Sequence, residues 1–389
     1  MFPKKLKQKL EDRIANNALR QLGENFNLTD FSSNDYLGFS KSETIFNDTH
    51  NYLKTNKISQ NGATGSRLLS GNHPLYNVVE TQLCEFHNSE SALIFNSGYD
   101  ANIGFFSSVP QRGDIILYDE YIHASIRDGI SMSNAKAYKF KHNNLDDLEK
   151  KCQTERSRSL IETNIFIITE SVFSMDGDSP DLVTMSQISK KNNAFLVVDE
   201  AHAIGVFGKH GVGLIQDLKL EQAVFARIIT FGKALGCHGS AILGSEMLTQ
   251  YLVNFSRSFI YTTALSPHSL ATIYMVYKQL VISNDRGKSQ TPIQQLHQNV
   301  LFFRSELIKN QLESIFIQSD SAIHCCIISD NEKVKLIANK LQENGFNVKP
   351  ILSPTVPKNK ERLRFCLHRY NSKEEITKVL QLLATFVSI

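Results

Sequence analysis

The sequence lacks the patterns of a disulfide-rich, metal-binding or membrane protein. Its 389 residues include six cysteines, and none of them shows Cys-x-x-Cys metal spacing or a disulfide framework. Charged residues interrupt every apolar stretch of the first 22 residues, so we expect neither a signal peptide nor a membrane span. A cytoplasmic protein without a bound metal is therefore expected.

An excess of one charge sign is absent as well. The 42 basic and 39 acidic residues are mixed along the chain, and the formal net charge is +3. Since nucleic-acid and membrane partners favour a broad basic surface, we expect neither kind of partner. The hydrophobic content of 41% is enough to bury one large core and a second, smaller one.

Short apolar runs alternate with helical patterns from about residue 90 onward. This alternation predicts an α/β fold with a largely parallel, doubly wound sheet. The predicted strands lie at residues 92–95, 115–118, 165–169, 195–198 and 228–230. Ser97-Gly98, Glu170, Asp199 and Lys233 each follow one of these strands closely, and ligands of such sheets bind outside the carboxyl ends of the strands. We therefore expect these residues to share one crevice.

The chain is predicted to contain three parts. An N-terminal arm covers residues 1–40, a large domain 41–283 and a smaller C-terminal α+β domain 284–389. The helix of the arm carries apolar side chains on one face, which suggests packing. A helix from Ser266-Pro267 ends near residue 283, before the polar run 284–289. The small domain is predicted to contain a strand at 322–328, a helix at 330–345, a strand near 346–350 and a final helix capped by Ser372 and Glu375.

Lys233 is the residue with the clearest chemical meaning. It lies in the run Ile-Ile-Thr-Phe-Gly-Lys-Ala-Leu-Gly (228–236), downstream of Leu-Val-Val-Asp-Glu-Ala-His (196–202). A lysine amine forms a Schiff base with an aldehyde cofactor, and small neighbours leave room for a flat ring. A carboxylate such as Asp199 can keep a pyridine nitrogen protonated. The two segments together predict a pyridoxal-phosphate enzyme.

Six segments of the chain resemble the α-oxoamine synthases. They are Phe-Ser-Ser-Asn-Asp-Tyr-Leu-Gly (31–38), Gly-x-x-Gly-Ser-Arg (62–67), Ser-Gly-Tyr-x-Ala-Asn (97–102), Thr-Glu-Ser-Val-Phe-Ser-Met-Asp-Gly-Asp (169–178), Asp-Glu-Ala-His (199–202) and Thr-Phe-Gly-Lys-Ala-Leu-Gly (230–236). The resemblance spans most of the chain. It implies the fold-type I arrangement of pyridoxal-phosphate transferases, and a homodimer with active sites at the subunit interface.

The resemblance assigns a role to each matching residue around the cofactor. Lys233 is the expected Schiff-base lysine, Asp199 the partner of the pyridine nitrogen and His202 the partner of the phenolic oxygen, while His123 would stack on the ring. Lys233, His123 and Asp199 are the expected catalytic residues. Further cofactor contacts are expected from Gly98, Tyr99, Ser174, Thr230 and Thr262, the last of these to the phosphate of a neighbouring subunit.

The resemblance also implies where the substrates bind. Arg364 would hold the carboxylate of the amino acid, for which a guanidinium group is well suited. Thr355 and Asn34 match substrate-contacting positions, and Arg20 matches an arginine that contacts the acyl substrate.

The implied reaction is the decarboxylative condensation of L-alanine with a pimeloyl thioester, an acyltransferase step of biotin biosynthesis. Two departures from the family pattern mean that glycine or serine, the substrates of other members of the family, stay possible in place of alanine. Residues 62–67 read Gly-Ala-Thr-Gly-Ser-Arg, where Gly-Ser-Gly-Gly-Ser-Arg is frequent, and Cys237-His238 replaces smaller residues. The acyl carrier, coenzyme A or an acyl carrier protein, stays open too, as does a pyridoxal-phosphate aminotransferase.

Two unrelated functions fit the sequence less well. Asp-Glu-Ala-His is also an acidic motif of nucleic-acid helicases, but such enzymes need a phosphate loop, and no Gly-x-x-x-x-Gly-Lys-Ser/Thr occurs in this chain. A scaffolding protein would have no use for the combination of Lys233, Asp199, His123 and Arg364.

Overall fold

The computed structural model describes residues 2–20, 22, 27–158, 163–285 and 290–387. The chain divides into two compact units. Unit 1 comprises Met1–Asn34, Ser174–Asp178 and Gln295–Ile389, and unit 2 comprises Asp35–Phe173 and Ser179–Gln294. The domain boundaries predicted after residues 40 and 283 stay predictions.

The regular elements are numbered in chain order. The helices are α1 (Lys4–Ala15), α2 (Glu43–Thr55), α3 (Leu75–His87), α4 (Gly98–Ser108), α5 (Ala124–Met132), α6 (Leu145–Arg158), α7 (Leu182–Lys191), α8 (Leu214–Asp217), α9 (Glu246–Phe255), α10 (Arg257–Ile260), α11 (Pro267–Asp285), α12 (Pro292–Lys309), α13 (Asn331–Glu343) and α14 (Lys373–Val387). The strands are β1 (Thr29–Asp30), β2 (Ser91–Phe95), β3 (Ile115–Asp119), β4 (Lys136–Phe140), β5 (Ile165–Glu170), β6 (Phe195–Asp199), β7 (Ala226–Thr230), β8 (Ser240–Gly244), β9 (Ile323–Ile327), β10 (Phe346–Asn347), β11 (Lys349–Ile351) and β12 (Arg362–Cys366).

Unit 2 is built around a seven-stranded sheet in the order β2-β8-β7-β6-β5-β3-β4. The pairs β3–β4, β3–β5, β5–β6 and β6–β7 are parallel, and β8 runs antiparallel to both of its neighbours. The carboxyl ends of β2, β3, β5, β6 and β7 consequently lie at the same edge of the sheet. The sequence-based prediction of a largely parallel, doubly wound sheet is confirmed.

The central strands β5 and β6 of this sheet are mainly apolar on both faces because helices cover both. Ile168, Val197 and Ile228 point into one core together with side chains of α4, α5 and α9. The intervening residues Ile167 and Val198 point into the other core, with side chains of α6 and α7. Successive side chains of a strand face opposite sides, so continuous apolar runs are what a sheet covered on both faces requires.

Unit 1 has an α+β architecture. Its three-stranded sheet is antiparallel in the order β11-β12-β9, and the short strand β1 pairs in parallel with β10. The last helix, α14, begins with a capping box: Glu375 N donates to Ser372 Oγ, and Ser372 N donates to Glu375 Oε2. The predicted elements of this region and the predicted cap are confirmed.

The structure corrects one predicted helix end and contains two strands of the large sheet that were not predicted. Helix α11 continues to Asp285, so residues 284 and 285 belong to a helix, and 286–289 of the predicted polar linker lie outside the described residues. The edge strand β4 was not predicted because its first four residues are exposed and polar in part. Strand β8 was not predicted because its apolar run is only three residues long.

Among the described residues, no helix combines the length and apolar character needed to cross a membrane.

Candidate active site

Lys233 lies in a tight turn that follows β7 at the carboxyl edge of the sheet in unit 2. The turn is closed by two backbone hydrogen bonds, from Phe231 N to Gly239 O and from Cys237 N to Phe231 O. Gly236 has a φ of +61°, a left-handed conformation that favours glycine. An added Cβ at Gly236 would lie 2.2 Å from the backbone nitrogen of Ser40. These constraints fix the backbone around a half-buried Lys233 side chain.

The amine of Lys233 contacts His202. Lys233 Nζ lies 2.6 Å from His202 Nε2, and His202 Nδ1 lies 2.8 Å from the hydroxyl oxygen of the buried Tyr36. When the lysine donates to Nε2, the imidazole proton is on Nδ1 and is donated to Tyr36. The side chain of His202 is thus held at both ring nitrogens.

Asp199 ends β6 and is almost completely buried, with 6% of its surface exposed. Its Oδ1 accepts from Ala201 N at 2.9 Å, and its Oδ2 accepts from the amide nitrogen of Asn102 at 2.9 Å. Among the residues that the structure describes, no lysine, arginine or histidine forms an ion pair with Asp199. A buried carboxylate of this kind requires a cation from elsewhere.

His123 is connected to Asp199 through Ser125 and Asn102. The amide nitrogen of Asn102 donates to Ser125 Oγ at 2.9 Å, and Ser125 Oγ lies 2.7 Å from His123 Nδ1. Burial, and after it the positive charge of Lys233, lower the pKa of His123. Since the backbone N–H of Ser125 also points to Nδ1, the imidazole is neutral, with its proton on Nε2.

Two of the predicted cofactor-binding residues, Gly98 and Thr230, lie near the start of α4, which follows β2. Ser97 caps the helix by accepting from Asp100 N at 3.1 Å, and Gly98 is its first residue. An added Cβ at Gly98 would lie 3.6 Å from Thr230 Oγ1, so the helix terminus and this hydroxyl group are adjacent. Backbone N–H groups at a helix amino terminus, with a hydroxyl beside them, suit a phosphate.

Two other predicted cofactor residues have partners of their own. The hydroxyl of Tyr99 donates to Asp128 Oδ2 at 2.8 Å, and that hydrogen bond raises the pKa of the exposed Tyr99 phenol. Thr262 Oγ1 accepts from the amide nitrogen of Asn96 at 3.0 Å. The predicted roles of Tyr99 and Thr262 stay predictions.

Glu200, the second acidic residue of Asp-Glu-Ala-His, has a structural role. It is fully buried and its Oε2 accepts from Arg227 Nε at 2.7 Å. Its Oε1 accepts from Ile215 N at 3.0 Å. The carboxylate of a helicase motif would serve magnesium and ATP, so this arrangement does not support the helicase alternative.

Two of the predicted site residues, Ser174 and Asn34, contact Arg364 of β12 in unit 1. Arg364 Nε donates to Ser174 O at 2.7 Å, Nη2 donates to Asn34 Oδ1 at 3.0 Å, and Nη1 lies 2.8 Å from Cys366 Sγ. The backbone of Ser174 thus fixes the predicted carboxylate-binding arginine, whereas a cofactor contact had been predicted for Ser174. That contact stays a prediction.

The remaining predicted substrate residues, Arg20 and Thr355, are also neighbours in unit 1. Arg20 Nη2 lies 3.5 Å from Thr355 Oγ1, and both residues are exposed. A hydrogen bond of this length is weak. Their contacts with substrate stay predictions.

Three residues of the two hydrogen-bond networks around Lys233 and Asp199 were not predicted from the sequence as site residues. They are Tyr36, Asn102 and Ser125. Asn102 could have been identified from the sequence, because it is a polar residue between the apolar Ala101 and Phe105 on the buried part of α4. A polar side chain in such a position needs a buried partner, and Asp199 provides one.

Comparisons with known proteins show the family of the chain. The family model of class I and II aminotransferases matches residues 27–383. An 8-amino-7-oxononanoate synthase of Emericella nidulans is 41% identical over 370 residues, which cover 92% of this chain and 89% of the relative. The crystal structure of the 8-amino-7-oxononanoate synthase of Francisella tularensis has a TM-score of 0.77 and 30% identity, covering 93% of this chain and 98% of that one.

Serine palmitoyltransferase of Sphingomonas wittichii is similar as well, with a TM-score of 0.86, 26% identity and coverage of 99% of this chain and 97% of that one. The matches extend over nearly the whole chain and include both units. The chain belongs to the class I and II aminotransferase family of fold-type I enzymes and, within it, to the α-oxoamine synthases, which are pyridoxal-phosphate-dependent acyltransferases.

Proposed function

We propose that this protein condenses L-alanine with a pimeloyl thioester, with loss of carbon dioxide, to give 8-amino-7-oxononanoate in biotin biosynthesis. The observation that carries the proposal is the contact of Lys233 Nζ with His202 Nε2 at the sheet edge where the buried Asp199 lies, which forms no ion pair with a described residue. The choice of substrates is supported by the name of the Emericella nidulans relative, which is 41% identical. The proposed working form is a homodimer. A cytoplasmic location is supported by the six cysteines, none of which forms a disulfide bond with another described residue.

The residues present fit pyridoxal 5'-phosphate. Asp199 is a buried carboxylate with hydrogen bonds but no ion pair among the described residues, and a protonated pyridine nitrogen would supply the missing cation. Lys233 would provide the linking amine, and His202 would lie at the phenolic oxygen. Ser97, Gly98 and Thr230 would provide donors for the phosphate. When bound, the group supplies an electron sink that stabilises a carbanion at the α-carbon of the amino acid.

The side chains of the protein have distinct tasks in this reaction. Arg364 would bind the carboxylate of alanine, since its guanidinium is fixed by Ser174 O and Asn34 Oδ1. Lys233 Nζ would take the proton from the α-carbon and later return a proton to the same carbon. The neutral His123 ring, with its proton on Nε2, would donate to the oxygen of the new ketone.

A Lys233→Ala variant tests the assignment of the lysine. We expect it to lose the visible absorption band of the enzyme-linked cofactor and to lose turnover. A variant that kept both would refute the assignment. Lys209→Ala is the matched control, because Lys209 is an exposed lysine of the same unit, and it should keep both the band and turnover.

A second candidate substrate is serine, which the likeness to the serine palmitoyltransferase of Sphingomonas wittichii favours. Exchange of the α-proton for deuterium, measured by NMR with alanine, glycine and serine in turn, separates the candidates. Rapid exchange with alanine, followed by product formation with pimeloyl thioesters of coenzyme A and of an acyl carrier protein, is the expected result. A preference for glycine or serine would overturn the proposed substrate. Conversion of pyridoxal phosphate to pyridoxamine phosphate would instead indicate an aminotransferase.

A further inference from the structure

Glu170 is a buried carboxyl group of unit 2 to which the reaction described above gives no task. It is the last residue of β5, with 3% of its surface exposed. Its Oε1 accepts from the backbone N–H of His123 at 2.5 Å. No other hydrogen bond or ion pair of this side chain exists among the described residues. Glu170 therefore joins the predicted ring-stacking histidine to the sheet edge.

Glu170 and Asp199 form a pair of neighbouring buried carboxyl groups. They occupy paired positions on the adjacent parallel strands β5 and β6, so their side chains project from the same face. Neither forms an ion pair with a described residue. Two like charges this close in a buried site strongly disfavour ionisation of both groups. Burial and the neighbouring carboxyl group on β6 therefore both disfavour a negative charge on Glu170.

Hydrogen bonding gives little support to a charged form of Glu170. Its carboxyl group accepts one hydrogen bond, from His123 N. Asp199, by comparison, accepts one at each oxygen, from Ala201 N and from Asn102. Since hydrogen bonds donated to a carboxylate favour its charged form, the single bond at Glu170 offsets little of the cost of burying a negative charge there.

The groups around Glu170 have opposing effects on its pKa, some raising it and others lowering it. Burial has the largest effect and raises the pKa of Glu170, as does the charge of Asp199 on β6. Asp119 at the end of β3 also raises the pKa, while Lys233 in the turn after β7 and the N–H of His123 before α5 lower it. Together they raise the pKa to about 8.

We propose that Glu170 is a neutral carboxylic acid in the working enzyme and serves as a positioning residue. It holds the backbone of His123 and places no second negative charge beside Asp199, the predicted partner of the pyridine nitrogen. This inference deepens the proposed function and rests on it for the identity of the cofactor.

Infrared spectroscopy of the full-length holoenzyme detects the proton directly. A protonated carboxyl group has a carbonyl-stretching band that shifts in D₂O, and we expect this band at pH 7 in the unaltered protein. It should be absent from Glu170→Gln and should fade as the pH is raised through about 8. Glu80→Gln is the matched control, because Glu80 is paired with Arg67 at 2.6 Å and should contribute no such band.

Kinetics provide a second readout. Glutamine has the shape of a neutral glutamic acid, so Glu170→Gln should retain kcat/KM within about threefold at pH 7 and lose the alkaline inflection of the pH profile. If no band disappears in Glu170→Gln, the inference is overturned. A loss of about a hundredfold or more at pH 7 in a variant that still binds the cofactor also overturns it, since the charged form would then be the one that matters.

The infrared measurement separates this inference from the proposed function. It needs no substrate, so its outcome stands whether the enzyme uses alanine or serine. Should Glu170→Gln fail to fold, the infrared spectrum of the unaltered protein gives the answer, and absence of the band at pH 7 contradicts the inference.

Discussion

Replacing Arg227 by methionine should destabilise the protein strongly. The side chains of Arg227 and Glu200 are 3% and 0% exposed, and their charged atoms are 2.7 Å apart. Arg227 also donates to His87 O at 2.9 Å and to Val212 O at 3.0 Å. The variant would leave a buried carboxylate without its cation and two carbonyl oxygens without a donor. Removing one partner of a buried pair costs about 3–5 kcal/mol in the free energy of unfolding.

Urea unfolding of the holoenzyme, followed by far-ultraviolet circular dichroism at constant cofactor concentration, measures this loss. The double variant Arg227→Met/Glu200→Gln should recover part of it, because the uncompensated charge is then absent. Lys139→Met is the matched control. Its pair with Glu120 spans 3.7 Å at a lysine side chain that is 66% exposed, so the expected change is below about 1 kcal/mol.

Two outcomes would contradict the reasoning. A loss of less than about 1 kcal/mol for Arg227→Met would mean that water or a rearranged side chain compensates Glu200. A double variant whose loss equals the sum of the two single losses would mean that the residues do not interact. Either result would also remove the structural explanation for the second acidic residue of Asp-Glu-Ala-His.

Three further predictions concern single side chains. Tyr36→Phe removes the hydroxyl 2.8 Å from His202 Nδ1 and should weaken cofactor affinity about tenfold in an absorbance titration; an unchanged Kd would contradict a role for this hydrogen bond. Gly177→Ala should cost about 2 kcal/mol or more in urea unfolding, because φ is +81° and the new Cβ would lie 2.1 Å from Ile323 O. Gly62→Ala, with nothing within 4 Å of the new Cβ, should stay within about 0.5 kcal/mol. Finally, Glu170 keeps its proton in the folded state up to about pH 8 and loses it near pH 4.5 when unfolded, so folding should weaken as the pH rises through this window. Glu170→Gln should remove that decline, which parallel urea titrations at pH 5 and pH 8 would detect.

Local sequence patterns were sufficient to predict most of the elements that carry the site. The strands that end in Glu170 and Asp199, and the strand that precedes Lys233, contain short runs of β-branched and aromatic residues, which favour strands over helices at that length. Strand β4 was missed for the converse reason, since it lies at the sheet edge and four of its five residues are exposed. The hydrophobic periodicity of a strand arises from its buried face. An exposed edge strand has few buried residues, so its sequence shows little of this pattern.

The roles of Ser174 and Glu200 show where local patterns fail. Each lies inside a motif that the resemblance covers, yet the structure shows Ser174 accepting from Arg364 through its backbone oxygen, and Glu200 neutralising a buried arginine. A motif identifies residues that occur together. It does not identify which partner each of them contacts.

The sequence by itself determined the alternation of strands and helices, and it placed Lys233 and Asp199 at strand ends, because both depend on residues close together in the chain. Only the tertiary structure decided which side chains hold them. Tyr36 reaches His202 across 166 residues of sequence, and Asn102 reaches Asp199 across 97. Hydrogen bonds over such separations depend on the order in which strands assemble into the sheet, and no short stretch of sequence carries that order.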